Sequence, residues 1–246
     1  MLHRRAKPLL GTLVEIAVMC ADDSSKNVPQ ALLDKAFTRV EKVHRLMSRH
    51  EALSELSQFN ALACQEWLAV SEETMRVFIF ANELSQKSAG IFDVFRTSHS
   101  PQSGCWSDLE LDVPNRRLRK HAPLVADLGG IAKGYAVDCA AQVLIDEEAA
   151  CGVLSGWVNA GGDARVFGEI ELPLQVRHPL QASWIKDLGL IANKAVATSV
   201  LDGLTSQTVI APTCMVADAL TKIVFKTGNA QHPLLAHYGA TAHIIS

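Results

Sequence analysis

Residues Asp127 to Asp138, Asp-Leu-Gly-Gly-Ile-Ala-Lys-Gly-Tyr-Ala-Val-Asp, combine a glycine pair with a lysine and two acids. An apolar run over 123–128 leads into Gly129 and Gly130, and an amphipathic helix is predicted from about Lys133. Residues without side chains allow positive φ and let a ligand approach the backbone closely. The helix start exposes unpaired N–H groups, and Lys133 adds a full positive charge. This pattern predicts a cradle for a phosphate or pyrophosphate group.

The same stretch also fits a strand-to-helix turn that serves packing alone, and both interpretations stay open at this point. It is not a Walker A loop, because Gly-x-x-x-x-Gly-Lys-[Ser/Thr] is absent, and Gly-x-Gly-x-x-Gly is absent as well. A second glycine pair stands in Asn159-Ala-Gly-Gly-Asp163, directly after a strand predicted over 152–158. We expect it to partner the first pair, although Asp163 could simply close a turn.

The bulk composition excludes several classes of protein. A chain of 246 residues with 48% hydrophobic and 20% charged residues suits one large globular domain or two joined lobes. A net charge of -3 argues against a nucleic-acid partner, and no apolar run is long enough for a transmembrane segment. The cysteines are scattered, which favours reduced thiols over a zinc site. The basic N-terminus lacks a secretory signal, so we expect a cytoplasmic protein, or a periplasmic one if a leader has been removed.

Hydrophobic periodicity predicts helices and strands in an order typical of an α+β fold. A strand over 13–18 is followed by long helices at 28–47 and 71–88, the second capped by Ser71 and stopped by Gly90. Ser54 marks a short helix, 98–104 a loop and 109–118 a hairpin. Later strands are predicted at 164–167, 174–177, 185–191, 195–199, 208–211 and 241–245, with helices at 214–226 and 229–237. We predict a single compact two-lobed domain over 1–246 with mixed sheets, helices and a central nucleotide cleft.

Several segments match one known family in type and in order along nearly the whole chain. They are Leu10–Thr12, Met47–Ser48, Ser54–Asn60, Phe92–Asp93, Asp127–Asp138, Val158–Asp163, Ala197–Ser199 and Thr213–Ala219. Together they resemble the FAD:protein FMN transferase family, once described as thiamine-biosynthesis lipoproteins. The Asp-Leu-Gly-Gly-Ile-Ala-Lys-Gly block carries most of this resemblance.

The resemblance implies a transferase that moves FMN from FAD to a threonine or serine hydroxyl of an acceptor flavoprotein, with release of AMP. It also implies Mg²⁺ bridging to the pyrophosphate of FAD, because Mg²⁺ takes oxygen ligands from carboxylates and phosphates. Asp218 would be the metal carboxylate, and the backbone at Ala132 would be a second ligand. Lys133 and the amides of Gly129 and Gly130 would hold the phosphates. Asp218 and Lys133 are therefore the candidate catalytic residues.

The remaining cofactor-binding candidates come from the same matched segments. They are Met47, His50, Asp93, Asp127, Asn159, Gly161, Gly162, Asp163 and Thr198. The segment from Asn159 to Asp163 would line the flavin side. Structural alternatives stay open for several candidates: Asp218 as a helix cap or first-turn acid, Lys133 as a solvated lysine, and Met47 as a core residue.

The chain departs from the pattern of the family at three places around the expected nucleotide. His50 stands where the family has a tyrosine that stacks on adenine, and a histidine offers less stacking area. The loop after Asp93 is reduced. The His-Ile-Ile-Asp-Pro-x-Thr-Gly segment expected after Ser199 is missing, and we regard the similar letters at His243 to Ser246 as coincidence.

A fourth departure concerns the expected metal. Four residues after Asp218, where the family commonly places a threonine ligand, this chain has Lys222. Thr221 lies one step earlier, rotated by about 100° around the helix. We hypothesise that Lys222 weakens or replaces the magnesium, the alternative being that it extends into solvent.

These departures leave more than one functional interpretation open. The leading one is a flavin transferase. The second is a catalytically impaired homologue that binds FAD or another nucleotide as a carrier or regulatory module. The third is a structural partner protein whose cleft holds no ligand.

Overall fold

The computed structural model describes residues 1–20, 27–96, 104–147, 153–181, 183–200 and 202–246, with side chains in the first helix described from residue 30 onward. Of the loop predicted at 98–104, only Gly104 lies within these residues. The chain forms two compact units. The first unit comprises residues 1–41 and 133–246, and the second comprises 42–132. The central cleft therefore stays a prediction, and each unit is considered by itself.

Helices and strands are both abundant, which confirms the predicted α+β class. In chain order the strands are β1 (Leu2–Leu9), β2 (Thr12–Cys20), β3 (Trp67–Ala69), β4 (Leu109–Asp112), β5 (Arg117–Lys120), β6 (Val153–Ala160), β7 (Asp163–Gly168), β8 (Leu172–Arg177), β9 (Ile185–Ile191), β10 (Ala195–Ser199), β11 (Ser206–Ala211) and β12 (Thr241–Ile245). The helices are α1 (Asn27–Met47), α2 (Glu55–Ala61), α3 (Glu72–Lys87), α4 (Ala132–Asp146), α5 (Cys214–Thr227) and α6 (Pro233–His237), with a short 3-10 helix at Trp106–Asp108. No helix in the described residues is both long and apolar enough to cross a membrane.

The first unit is built on an antiparallel seven-stranded sheet in the order β1-β2-β6-β7-β10-β11-β12. A separate two-stranded sheet pairs β8 with β9. Helix α5 packs against β10 and β11. Its buried side is apolar apart from two polar residues, Asp218 and Thr221, which are 1% and 0% exposed. Because burying polar groups is costly unless they are hydrogen-bonded, these two residues mark the part of the unit where chemistry is expected.

The second unit contains the three-stranded sheet β3-β5-β4 and an aromatic core. The rings of Phe59, Phe78 and Phe95 lie 5.3 to 6.4 Å apart between centroids. The buried ammonium of Lys120 donates to the carbonyl oxygens of Phe59, Asn60 and Leu124 at 3.1, 3.2 and 3.1 Å. Since the first two carbonyls lie in the last turn of α2, Lys120 ties the end of that helix to the segment before Asp127.

Two local predictions are confirmed and two are wrong. Ser54 and Ser71 cap α2 and α3 by accepting the N–H groups of Ser57 and Thr74. The helix predicted at 229–237 is restricted to Pro233–His237, because the chain turns before the proline at its start. The apolar run over 123–128 is not a strand.

Candidate functional site

Lys133 and Asp163 form an ion pair at the start of α4 in the first unit. The Lys133 ammonium donates to Asp163 Oδ2, and Asp163 is only 1% exposed at the beginning of β7. Burial lowers the pKa of Lys133, and the negative charge of Asp218 opposes that shift. Lys133 is therefore not a solvated lysine, and Asp163 does more than close a turn. Asp163 Oδ1 is buried without a hydrogen-bond partner among the described residues, so one acceptor here remains available to a ligand.

The second glycine pair forms the two-residue loop that joins β6 to β7. Gly161 and Gly162 have φ of 61° and 101°, as the hairpin turn with two positive-φ positions requires. The Asn159 side chain accepts the N–H of Gly162 at 3.2 Å. A Cβ on Gly161 would lie 2.4 Å from Thr12 Oγ1, so a side chain has no room there. The turn therefore fixes the position of Asp163.

The first glycine pair does not use the positive φ that glycine allows. Gly129 and Gly130 are not among the positive-φ residues of the described chain. Asp127 Oδ1 instead accepts the Gly129 N–H at 2.8 Å, and Leu128 O accepts the N–H of Ala132 at 2.8 Å. This side-chain turn leads directly into α4. The Gly129 amide, expected to hold phosphate, is engaged within the turn.

Asp218 lies in the second turn of α5, inside the buried face of the helix. The helix begins at Cys214 after Thr213, and its first turn contains no acid. The alternative of a cap or first-turn acid is therefore wrong. Asp218 Oδ2 accepts the backbone N–H of Gly134 at 3.3 Å, and Oδ1 accepts from the Lys222 ammonium at 3.2 Å.

The Lys222 ammonium is enclosed by oxygen atoms. It donates to Ser199 Oγ at 2.6 Å, to Thr221 Oγ1 at 3.0 Å and to Asp218 Oδ1 at 3.2 Å. Its side chain is 19% exposed. The alternative that Lys222 extends into solvent is therefore wrong. Lys222 also acts electrostatically on Lys133, so the two lysines and the two aspartates, Asp163 and Asp218, form one charged cluster.

Ser199 reaches this cluster, whereas the predicted residue Thr198 does not. Successive side chains of a strand point to opposite faces of the sheet. Ser199 faces α5, where its Oγ lies 2.9 Å from Thr221 Oγ1. Thr198 faces the other side, where its Oγ1 lies 2.9 Å from Thr208 Oγ1. Ser199 belongs to a matched segment and Thr221 precedes Lys222, but neither is among the site residues predicted from the sequence.

Asp138 is a third important acid that sequence reasoning passed over, although it ends the Asp127–Asp138 block. Its Oδ1 accepts the Cys214 N–H at 2.9 Å and an Arg165 N–H at 3.1 Å, and its Oδ2 accepts the Met215 N–H at 2.8 Å. Burial raises the pKa of Asp138, while these hydrogen bonds and the charge of Arg165 oppose the shift. A side chain of α4 thus caps the N-terminus of α5.

Gly134 brings the same two helices into backbone contact. A Cβ at this position would lie 2.3 Å from Cys214 O and 2.9 Å from Met215 Cα. We expect Gly134→Ala to lower the free energy of unfolding by about 2 to 3 kcal/mol, because the helices must separate. Chemical denaturation followed by circular dichroism would measure this loss. Gln142→Ala, at an exposed position of the same helix, is the control, and equal stability of the two variants would contradict the prediction.

The candidates in the second unit are engaged in local structure. Met47 is 5% exposed, as the core alternative predicts. His50 is exposed, and its Nε2 accepts an N–H of the neighbouring arginine at 3.3 Å. Asp93 is buried and accepts the backbone N–H groups of Phe95 and Trp106 at 2.9 and 3.3 Å. A role of these residues in binding a nucleotide stays a prediction.

The expected Mg²⁺ site does not fit the residues around Asp218. The described residues contain no group of three or more His, Cys, Asp or Glu side chains that could hold a metal ion. Both oxygens of Asp218 are engaged, one of them by an ammonium group. Ala132, the second predicted ligand, is the first residue of α4, and its N–H donates to Leu128 O at 2.8 Å. No step of the chemistry below is therefore assigned to a metal.

The sheet, α4, α5 and the cluster define an α+β protein with two buried lysine–aspartate pairs. The sequence profile described as the ApbE family matches residues 10–98 and 97–201. The chain belongs to the ApbE family. No curated protein sequence matches it.

Solved structures show the same fold. The ApbE protein of Thermotoga maritima is 23% identical, with 99% of this chain and 93% of that chain covered and a TM-score of 0.77. The flavin transferase ApbE of Vibrio cholerae is 23% identical over 98% of this chain and 92% of that chain, with a TM-score of 0.76. The flavinyl transferase ApbE of Pseudomonas stutzeri is 20% identical over 98% and 90%, with a TM-score of 0.78.

Proposed function

We propose that the chain is an FAD:protein FMN transferase, which moves FMN from FAD to a threonine or serine hydroxyl of an acceptor flavoprotein. Membership of the ApbE family and the flavin transferases among its structural neighbours support this activity. The observation that carries the proposal is the ammonium of Lys133 at the start of α4, which an ion pair with the buried carboxylate of Asp163 holds in place. The oxygens of a pyrophosphate accept charge-assisted hydrogen bonds from such an ammonium.

The reaction replaces the phosphoanhydride bond of FAD with a phosphoester bond to the acceptor hydroxyl. The acceptor hydroxyl attacks the phosphorus of the FMN half, the bond to the AMP half breaks, and AMP leaves with the bridging oxygen. Catalysis of phosphoryl transfer rests on positioning and on neutralising charge at the phosphate oxygens. An ammonium has three N–H donors, and Lys133 gives one to Asp163, which leaves two to orient phosphate oxygens. The role of Asp163 is to hold Lys133 at this position.

A transfer assay tests the proposal. The purified protein is incubated with FAD and the flavin-free form of a flavoprotein whose FMN is normally attached to a threonine, and the intact mass of the acceptor is measured. We expect the acceptor to gain one FMN, with release of an equal amount of AMP. An unmodified acceptor, under conditions where FAD is bound, would contradict the transferase.

A second candidate is a nucleotide carrier or regulatory module without transferase activity. Two observations favour it: Lys222 engages the carboxylate expected to bind metal, and the segment after Ser199 is only a short link to β11. A yellow protein with bound FAD that transfers nothing would identify this carrier. A colourless protein that binds no FAD would exclude both candidates.

A further inference from the structure

We infer that the ammonium of Lys222 is the resident cation of the Asp218 site and occupies the place where a divalent metal ion would bind. The inference deepens the proposed function, on which it rests only for the identity of the ligand. The cation site itself is defined by Asp218, Ser199, Thr221 and Lys222, all within the first unit.

The donors of Lys222 match the acceptors around it in number. A lysine ammonium has three N–H groups, and three oxygens lie around Lys222 Nζ at 2.6, 3.0 and 3.2 Å. The acceptors are two hydroxyls and one carboxylate, which are the oxygen ligands that a hard metal cation would take. Thr221 Oγ1 also donates to the Asp218 carbonyl at 2.6 Å, so its lone pairs are turned toward the cation. The ammonium is held as a coordinated ion would be.

The charges of the cluster leave no room for a further cation. Lys133 and Lys222 contribute +2 and Asp163 and Asp218 contribute -2, so the cluster is neutral as it stands. A bound divalent ion would raise that sum to +2, in a place where both carboxylates are almost fully buried. Like charges in a buried site repel strongly because little water screens them. The divalent ion must therefore displace the ammonium before Asp218 can bind it.

One residue, Lys222, decides which of the two cations the site holds. Lys222 lies one helical turn after Asp218 on the same face of α5. In Lys222→Thr the ammonium is absent, while Asp218, Ser199 and Thr221 remain and a further hydroxyl is added. The substitution converts a site filled by its own side chain into an oxygen-lined site for a metal.

The test titrates the protein with Mn²⁺ alone and counts the bound ion by electron paramagnetic resonance, without FAD. We expect wild-type protein to bind Mn²⁺ no tighter than about 1 mM, and Lys222→Thr to bind it at least about tenfold tighter. The gain should disappear when Asp218→Asn is added. Lys226→Met, which removes a lysine from an exposed position one turn further along α5, should behave as the wild type. Wild-type binding below about 0.1 mM that Asp218→Asn abolishes would overturn the inference.

A second measurement uses FAD affinity, followed by flavin fluorescence, in Mg²⁺ and in EDTA. We expect the two affinities of the wild type to agree within about twofold, and Lys222→Thr to bind FAD at least about tenfold tighter in Mg²⁺ than in EDTA. A wild-type affinity that falls more than about tenfold in EDTA would overturn the inference. If the variant does not fold, the wild-type measurements decide. If neither the wild type nor any variant binds FAD, the proposed function is wrong. The Mn²⁺ titration, which uses no FAD, still shows whether Lys222 excludes a divalent ion from the Asp218 site.

Discussion

Replacing Asp138 with alanine is expected to lower the free energy of unfolding by about 3 to 5 kcal/mol, because a buried charge pair loses one partner. The substitution leaves Arg165 without its carboxylate and the N–H groups of Cys214 and Met215 without their acceptor. Each buried donor left unpaired adds its own desolvation cost. Within the described residues, the Thr213 side chain makes no capping hydrogen bond that could compensate. Denaturation by urea at neutral pH would measure the loss.

Two further substitutions show whether this loss comes from the cap. Asp138→Asn keeps the shape and one acceptor, so it should cost about half as much as the alanine variant. Asp146→Ala removes an exposed aspartate from the end of the same helix and should change stability by no more than about 0.5 kcal/mol. If Asp138→Ala were as stable as Asp146→Ala, the cap would contribute nothing to the fold.

Lys133→Met is expected to weaken FAD binding by about 30- to 100-fold, which corresponds to the loss of charge-assisted hydrogen bonds worth about 2 to 3 kcal/mol. The variant removes the ammonium and leaves the Asp163 carboxylate unpaired, so the cluster becomes negative where a pyrophosphate must approach. Transfer of FMN should fall at least as much, since the phosphate oxygens lose both their binding and their neutralising partner. Fluorescence titration with FAD and the mass assay would measure the two effects.

The controls for Lys133 separate charge from folding. Lys133→Arg keeps a positive charge and should retain most of the affinity, while Lys194→Met removes a charge from an exposed site and should have no effect. The double variant Lys133→Met with Asp163→Asn removes both members of the buried pair, so it should be more stable than the single variant and still bind FAD weakly. Wild-type affinity in a folded Lys133→Met protein would refute a phosphate-binding role for this lysine.

The parts of the fold that sequence predicted well are those specified by neighbouring residues. Ser71 caps α3 through an N–H three positions later, and Ser54 caps α2 in the same way, so a short window contains the whole signal. The cap of α5 lies 76 positions before the helix it serves, in Asp138. No local pattern indicates such a pairing.

Strand β1 was missed for a different reason. It pairs with β2 along its whole length, from Leu2 opposite Met19 to Leu9 opposite Thr12. As an edge strand it buries neither face fully, and its sequence carries His3, Arg4, Arg5 and Lys7 in place of an apolar stripe. Hydrophobic alternation, the signal for the other strands, is therefore absent.

The motif at Ala197–Ser199 does not indicate which of its two hydroxyl residues, Thr198 or Ser199, faces the site. Ala195, Val196 and Ala197 are all buried, so β10 has no polar face that tells which of the next two hydroxyls turns toward α5. The orientation is decided by the pairing of β10 in the sheet and by the packing of α5. Ser199 lies on the face of β10 that contacts Thr221, and Thr198 lies on the opposite face. The lysine–aspartate cluster was predicted in part, through Lys133, Asp163 and Asp218. The two hydroxyl groups that accept hydrogen bonds from the Lys222 ammonium were not predicted.

The remote cap on α5 also has a consequence for how the protein is made. During synthesis Asp138 leaves the ribosome well before Cys214, so the nascent chain carries an acid whose amide partners do not yet exist. Arg165 is the first of its partners to emerge and can hold the carboxylate until α5 is synthesised. A product terminated before residue 214 would keep the arginine contact and lack the rest. Its α4 would expose the surface around Gly134 that α5 covers in the longer chain. Chaperones and proteases recognise such uncovered surfaces in unfinished proteins.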